Sequence, residues 1–269
     1  MTLAAHFAAF RLAKRHEVLE WKRFELAWQH YAALHAIEPD QWTHKATDAA
    51  TDALPHAAGT IRRDLGCLSV FAKWLKREGH LLAVPDWRTP PAPAPRQRYV
   101  SAEEMRRILA TPAEVWFTQA TRLAILTGQR IGAVLDLRWS QVRGGVIDFN
   151  FGIAARCKHR GTVPLTSDIK AVLGGCALGD RVINDELPVN YFRYLREWRR
   201  ACAACGIVGA TPHMLRHGVA TELVAAGVPL LEVSRMLGHS TVAITERVYA
   251  HFDPNFTKRA AETMAGLVA

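Results

Sequence analysis

The stretch TPHMLRHGVATELVAAGVPLLEVSRMLGHSTVAITERVYAHF, from Thr211 to Phe252, carries the densest pattern in this 269-residue chain. Thr211 is a residue type that caps helices, Pro212 suits a first helical position, and Gly227 suits a helix end. Leu215, Val219 and Leu223 recur every four residues and predict a buried stripe. His213 and Arg216 are three apart, so both project from one side of the first turns. A second helix is expected from near Pro229 to Gly238. His239 follows at once, and Ser240 can cap a third helix. There Ile244 and Val248 are expected to face the core, leaving Tyr249 just off that stripe, presented rather than buried.

Outward from this segment the pattern changes. Ser101 with Glu104 forms a capping box ahead of Ile108 and Leu109. A helix from Glu114 to about Leu126 leads into TGQR at residues 127–130. VRGGVIDFN (142–150) and GTVPLT (161–166) read as short strands, where β-branched residues replace helix formers. From Tyr191 the pattern is helical again. TPPAPAPRQR, from Thr89 to Arg98, is an extended proline–alanine spacer without a core of its own. The part ahead of it reads as all-helical. Its best helix runs from Thr60, as N-cap, to Gly79, with Ile61, Leu65, Leu68, Ala72 and Leu75 on one apolar stripe. Arg62, Arg63, Lys73, Lys76 and Arg77 lie mostly off that stripe, as a solvated basic face or as one set against phosphates. Trp21, Phe24, Trp28 and Tyr31 are expected in a core rather than as base-stacking platforms.

The formal charge of +9, in a chain that is 49% apolar and 22% charged, suits a globular protein with a polyanionic partner, nucleic acid before membrane. No run has the length of a membrane span, and the N-terminus lacks a signal-type apolar region, so a cytoplasmic protein is expected. Five cysteines fit a reduced compartment. Cys202 and Cys205 form a lone CxxC with no second ligand pair, and they read as structural. His213, His217, His239 and His251 match no compact zinc spacing, so no metal is expected.

HMLRH, LGHS and the later tyrosine resemble the second conserved box of the tyrosine recombinases, the phage integrase family. The pattern His-x-x-Arg, then His, then Tyr falls on His213, Arg216, His239 and Tyr249. TGQRIGAVLDLRW is similar to the family's first box and places its first catalytic arginine on Arg130. KWLKREGHLL before the spacer resembles the family's helical core-binding domain. The resemblance implies a mainly α protein with a small antiparallel β-sheet and a Cre- or Xer-like two-domain layout. It gives a helical core-binding (SAM-like) domain at 1–88, a linker at 89–98 and an α+β catalytic domain at 99–269. The family's hairpin lysine precedes a Val-Pro-Leu. In ARCKHRGTVPL the positions to weigh are Arg156, Lys158, His159 and Arg160, and Lys158 is taken as the catalytic lysine, with Arg160 as a DNA contact. One departure stands out: the family's acidic residue three after the first arginine is Ala133 here, and Asp136 is the nearest acid.

The residue types suit the reaction that the resemblance implies. A phenol attacking a phosphodiester builds negative charge on the non-bridging oxygens, which two guanidiniums, Arg130 and Arg216, can clamp bidentately. A tyrosine with a reference pKa of about 10 needs activation. His213 is expected to accept or steer that proton, His239 to donate to a phosphoryl oxygen, and Lys158 to protonate the leaving 5′-hydroxyl. No cofactor is implied, since a phosphotyrosine conserves the bond energy. The implied partners are a specific double-stranded DNA site, three further copies in a tetramer, and a directionality protein, with the tail after Tyr249 docking on a neighbour. Two rivals are a catalytically disarmed DNA-binding relative and a type IB topoisomerase.

Overall fold

The computed structural model describes residues 1–18, 20–93, 98–153, 159–176, 179–184, 188–239 and 241–249. The chain divides into two compact units, Met1–Arg96 and Gln97–Ala269, and the division falls inside the proline-rich spacer. Lys158, Ser240 and the tail after Tyr249 lie outside the described residues.

In the first unit, four helices pack around one another: α1 (Leu3–Lys14), α2 (Trp21–His30), α3 (His44–Asp52) and α4 (Ala58–Arg77). The stripe Ile61, Leu65, Leu68, Ala72 and Leu75 is buried as its spacing requires. Phe71 sits at the centre with its ring edge-on to Phe7 and Trp28, which stack on each other at 4.6 Å. Truncating such a ring to alanine costs about 3–5 kcal/mol, so this cluster holds the unit together. Tyr31 and Trp28 are buried in it, with Trp21 and Phe24 packed at its margin. Helix α4 starts earlier than expected. Ala57, not Thr60, is its N-cap, and Gly79 at φ 79° follows its end. Thr60 instead sits in the first turn of the helix. On the basic face Arg63, Lys73, Lys76 and Arg77 are exposed. Arg62 is half-buried, and its Nη1 donates to the carbonyl of Pro90, which ties the spacer's start to α4.

The second unit contains α5 (Ala102–Ala110), α6 (Val115–Thr127), α7 (Ile131–Leu135), α8 (Ser167–Gly174), α9 (Tyr191–Ala204), α10 (Pro212–Ala225), α11 (Leu230–Leu237) and α12 (Val242–Tyr249). A three-stranded antiparallel sheet, β1 (Val142–Arg143), β2 (Val146–Asp148) and β3 (Thr162–Pro164), is ordered β1-β2-β3. Gly144 and Gly145, both at positive φ, close the first hairpin as only a primed turn can. Ile147 pairs with Val163 across the sheet, and both sit in the core with Phe117, Phe149 and Trp198. The capping box at Ser101 and Glu104 forms as read. Val100 donates its N–H to the carbonyl of Met214, and a Cβ on Gly218 would meet the Val100 carbonyl at 1.9 Å. The chain entering α5 therefore lies against the backbone of α10, which fixes the helix carrying His213 and Arg216.

Candidate active site

Three chain turns meet where the charged residues gather. Helix α6 ends at Gly128 in the left-handed conformation (φ 64°), which swings the chain so that Arg130 becomes the N-cap of α7. Helix α11 ends at Gly238 (φ 70°), and His239 follows. A Cβ on Gly238 would lie 2.3 Å from the carbonyl carbon of Arg160, and one on Gly161 would lie 1.9 Å from the Met236 oxygen. The end of α11 and the approach to β3 are therefore packed backbone to backbone, which only paired glycines allow. Gln129, 1% exposed, bridges them: its side-chain amide donates to Met236 O at 2.6 Å and accepts from the Gly161 N–H at 3.2 Å.

Arg216 is buried on α10 and donates through Nη1 to Gly128 O at 3.0 Å. Its Nη2 is buried without a partner. Arg130 donates to His159 O at 3.4 Å. Among the described residues neither guanidinium has a carboxylate in ion-pair range. Ala133 is buried, and Asp136 pairs instead with Arg181 at 3.5 Å. Burial, then Arg130, pulls Arg216 down to about 10. Burial, then Arg160, lowers Arg130 as well. Arg130 and Arg216 act on each other's charge with no counter-charge among the described residues, which favours binding of an anion.

His239 lies within the field of the same cations. Burial first, then Arg216 and Arg130, pull it down to about 4, so it is neutral at pH 7. Its Nδ1 is 2.7 Å from the hydroxyl of Thr245. Tyr249 corrects the sequence reading. It is 3% exposed, whereas Val248, expected in the core, is 37% exposed. Helix α12 packs through Thr245 and Tyr249, one turn apart, against α10 and α11; the side chain of Ile244, also expected in the core, lies outside what the structure describes. Tyr249 Oη lies 2.6 Å from Nδ1 of His217. Burial pushes the phenol up to about 12, against a lowering by Arg216. His213 is exposed, and its ring meets that of His217 edge-on at 4.7 Å.

Of the residues marked in the sequence, Arg130, His213, Arg216, His239 and Tyr249 come together, and Arg160 stands beside Arg130. Lys158 lies outside the described residues. His217, Thr245 and Gln129 were not marked as parts of this site. His217 had a legible signal, one turn after His213 on the same helix. Gln129 and Thr245 had none, because their partners come from distant segments.

The model of the phage integrase family matches residues 98–255. The chain belongs to the phage integrase family. That membership places it among the tyrosine-type site-specific recombinases. Tyrosine recombinase XerC of Rhizobium meliloti is 28% identical over 220 residues, which cover 73% of this chain and 67% of that protein. A XerC-like recombinase of Caldanaerobacter subterraneus is 37% identical over 73 residues, only 27% of this chain and 19% of that protein. In fold, the integrase-family chain superimposes on a lambda integrase tetramer bound to a Holliday junction with a TM-score of 0.74 at 21% identity, over 90% of this chain and 78% of that one. It also superimposes on the Tn1549 transposon integrase in complex with circular intermediate DNA with a TM-score of 0.78 at 15% identity, over 97% and 99%.

Proposed function

We propose that this integrase-family protein cleaves and rejoins DNA at a specific site through a 3′-phosphotyrosine at Tyr249, without metal or ATP. The observation that carries the proposal is the buried, unpartnered Nη2 of Arg216, with Arg130 and Tyr249 near enough to act on its charge. A polar nitrogen left unsatisfied costs about 1–3 kcal/mol, and a phosphate oxygen satisfies it while neutralising both cations. In this assignment Arg130 and Arg216 clamp the phosphoryl oxygens. If the Thr245 hydroxyl donates to Nδ1 of His239, the ring carries its proton on Nε2, where it can donate to the same phosphate. His213 and Lys158 complete the set, the lysine as acid to the leaving 5′-oxygen on the strength of the family resemblance.

We assign residues 1–88 to DNA grip and 99–269 to chemistry. Arg63, Lys73, Lys76 and Arg77 of α4, with Arg160, are the phosphate contacts in this scheme, so binding should weaken steeply with salt. Four protomers on two DNA sites, and an accessory directionality protein, belong to the same proposal. The likeness to the integrase tetramer on a Holliday junction supports the fourfold assembly. Among the described residues no helix is long and apolar enough to cross a membrane. A second reading, a DNA-binding relative without catalysis, is favoured by the lack of a carboxylate beside the two arginines among the described residues.

Covalent trapping decides between them. With a nicked suicide duplex, wild type should give an SDS-resistant protein–DNA adduct that Tyr249→Phe abolishes. Tight binding by both proteins with no adduct in either would move the assignment to the non-catalytic reading.

A further inference from the structure

We propose that His217 is the side chain that takes the phenolic proton of Tyr249 as that oxygen attacks phosphorus. This rests on Tyr249 being the nucleophile. The reacting oxygen and the acceptor nitrogen are already in contact, Oη to Nδ1 at 2.6 Å. A general base must be within hydrogen-bond reach of the proton it removes, and His217 meets that requirement in the folded protein before any substrate arrives. The ring of His213, the residue the family resemblance points to, meets that of His217 edge-on at 4.7 Å.

The surroundings of His217 keep it ready to accept. Arg216 and His213 lie on its own helix, Tyr249 comes from α12, and His239 follows α11. Burial, then Arg216, hold its pKa below 6.5, so the ring is neutral at pH 7. With its proton on Nε2, Nδ1 presents a lone pair to the phenol. In the cleavage step the O–H bond of Tyr249 breaks and its proton passes to Nδ1. The phenolic oxygen bonds to phosphorus as the bond from phosphorus to the 5′-oxygen breaks, and the site's acid protonates that oxygen. The imidazolium so formed stays beside the phosphoryl group through the phosphotyrosine intermediate, where it holds the proton that the phenol needs to leave. On rejoining, the incoming 5′-hydroxyl gives its proton back to the site's acid as it attacks. Tyr249 then leaves and recovers its proton from Nδ1.

The test is the single-turnover rate of adduct formation on the nicked duplex, measured across pH for wild type, His217→Asn and His217→Phe. Asparagine can accept a hydrogen bond near the position of Nδ1 but takes no proton; phenylalanine keeps only the volume. Both variants should be slower by about 10²–10⁴, with DNA affinity and melting temperature retained. The wild-type rate should rise with pH through an acidic limb below 6.5, and that limb should vanish in His217→Asn. Either variant reacting at close to the wild-type rate, or an acidic limb unchanged in His217→Asn, overturns the proposal. A faster rate in either also overturns it and makes His217 a restraint on the nucleophile. If His217→Phe does not fold, the rate and pH profile of His217→Asn decide alone. Wild type that binds the duplex but forms no adduct sinks the nucleophile assignment and this inference together. An adduct formed equally fast by wild type and His217→Asn sinks only this one.

Discussion

Two buried tyrosines in the same unit show what burial does and does not accomplish. Tyr194, between α9 and α6, is fully buried, and its hydroxyl lies 2.9 Å from that of Thr121. Tyr249, on α12, is nearly as buried, and its hydroxyl lies 2.6 Å from an imidazole nitrogen. Desolvation raises both phenols above their ordinary value. At Tyr194 the surroundings are Phe117 and Trp198, and the neighbouring hydroxyl has no useful basicity. At Tyr249 the neighbours are a base and a cation, His217 and Arg216. Burial alone makes a phenol inert, and reactivity depends on which groups are buried with it.

The comparison can be broken most sharply by deleting each hydroxyl. Tyr249→Phe should abolish the covalent adduct. Tyr194→Phe should leave the adduct rate unchanged and lower stability by only about 0.5–1.5 kcal/mol in denaturant melts. The smaller cost reflects Thr121, which still donates to Phe117 O at 2.8 Å. Next in size, Arg216→Lys should cut the cleavage rate by about 10²–10³ while DNA affinity falls little. A lysine cannot both hold Gly128 O and reach a phosphate, so near-wild-type cleavage would undo the clamp assignment.

A smaller effect follows from His239. Its pKa is about 4 in the folded state against 6.5 for an ordinary imidazole. The unfolded chain therefore binds the proton more readily. Stability from this group is complete above about 6.5 and is lost as pH falls from there toward 4. His239→Gln should lessen the drop in melting temperature between those limits, and an unchanged drop would place the acid sensitivity elsewhere. Smallest of all, Lys73→Ala or Lys76→Ala should each reduce the steepness of the salt dependence of DNA binding by about one phosphate's worth. Neither should affect the adduct rate at saturating protein.

Much of this molecule was legible as local pattern. The stripe of α4, the capping box at Ser101 and the helix ends at Gly79, Gly227 and Gly238 all follow from residue type and period. The five site residues in family order came from the same linear reading, and in space they converge. Errors arose where local signals compete or are short. Thr60 looked like a cap but lies within α4. Arg62 read as one more basic side chain, yet it holds Pro90, a contact between residues 28 apart.

By itself, the sequence determined an all-helical N-terminal part, the helices that start at Ser101, Glu114 and Thr211, the glycines that stop several of them, and that two arginines, two histidines and a tyrosine recur at recombinase spacing. Only the tertiary structure decided that Thr245 and Tyr249 form the inward face of α12 and that His217 meets the phenol. It also decided that Gly161 and Gly238 let two backbones touch beneath Gln129. The reason is physical. Periodicity reports a side chain's angle around its own helix axis, and an eight-residue helix such as α12 has two turns in which to express it. The rotation it adopts is set by the shape and polarity of α10 and α11, which no local pattern encodes.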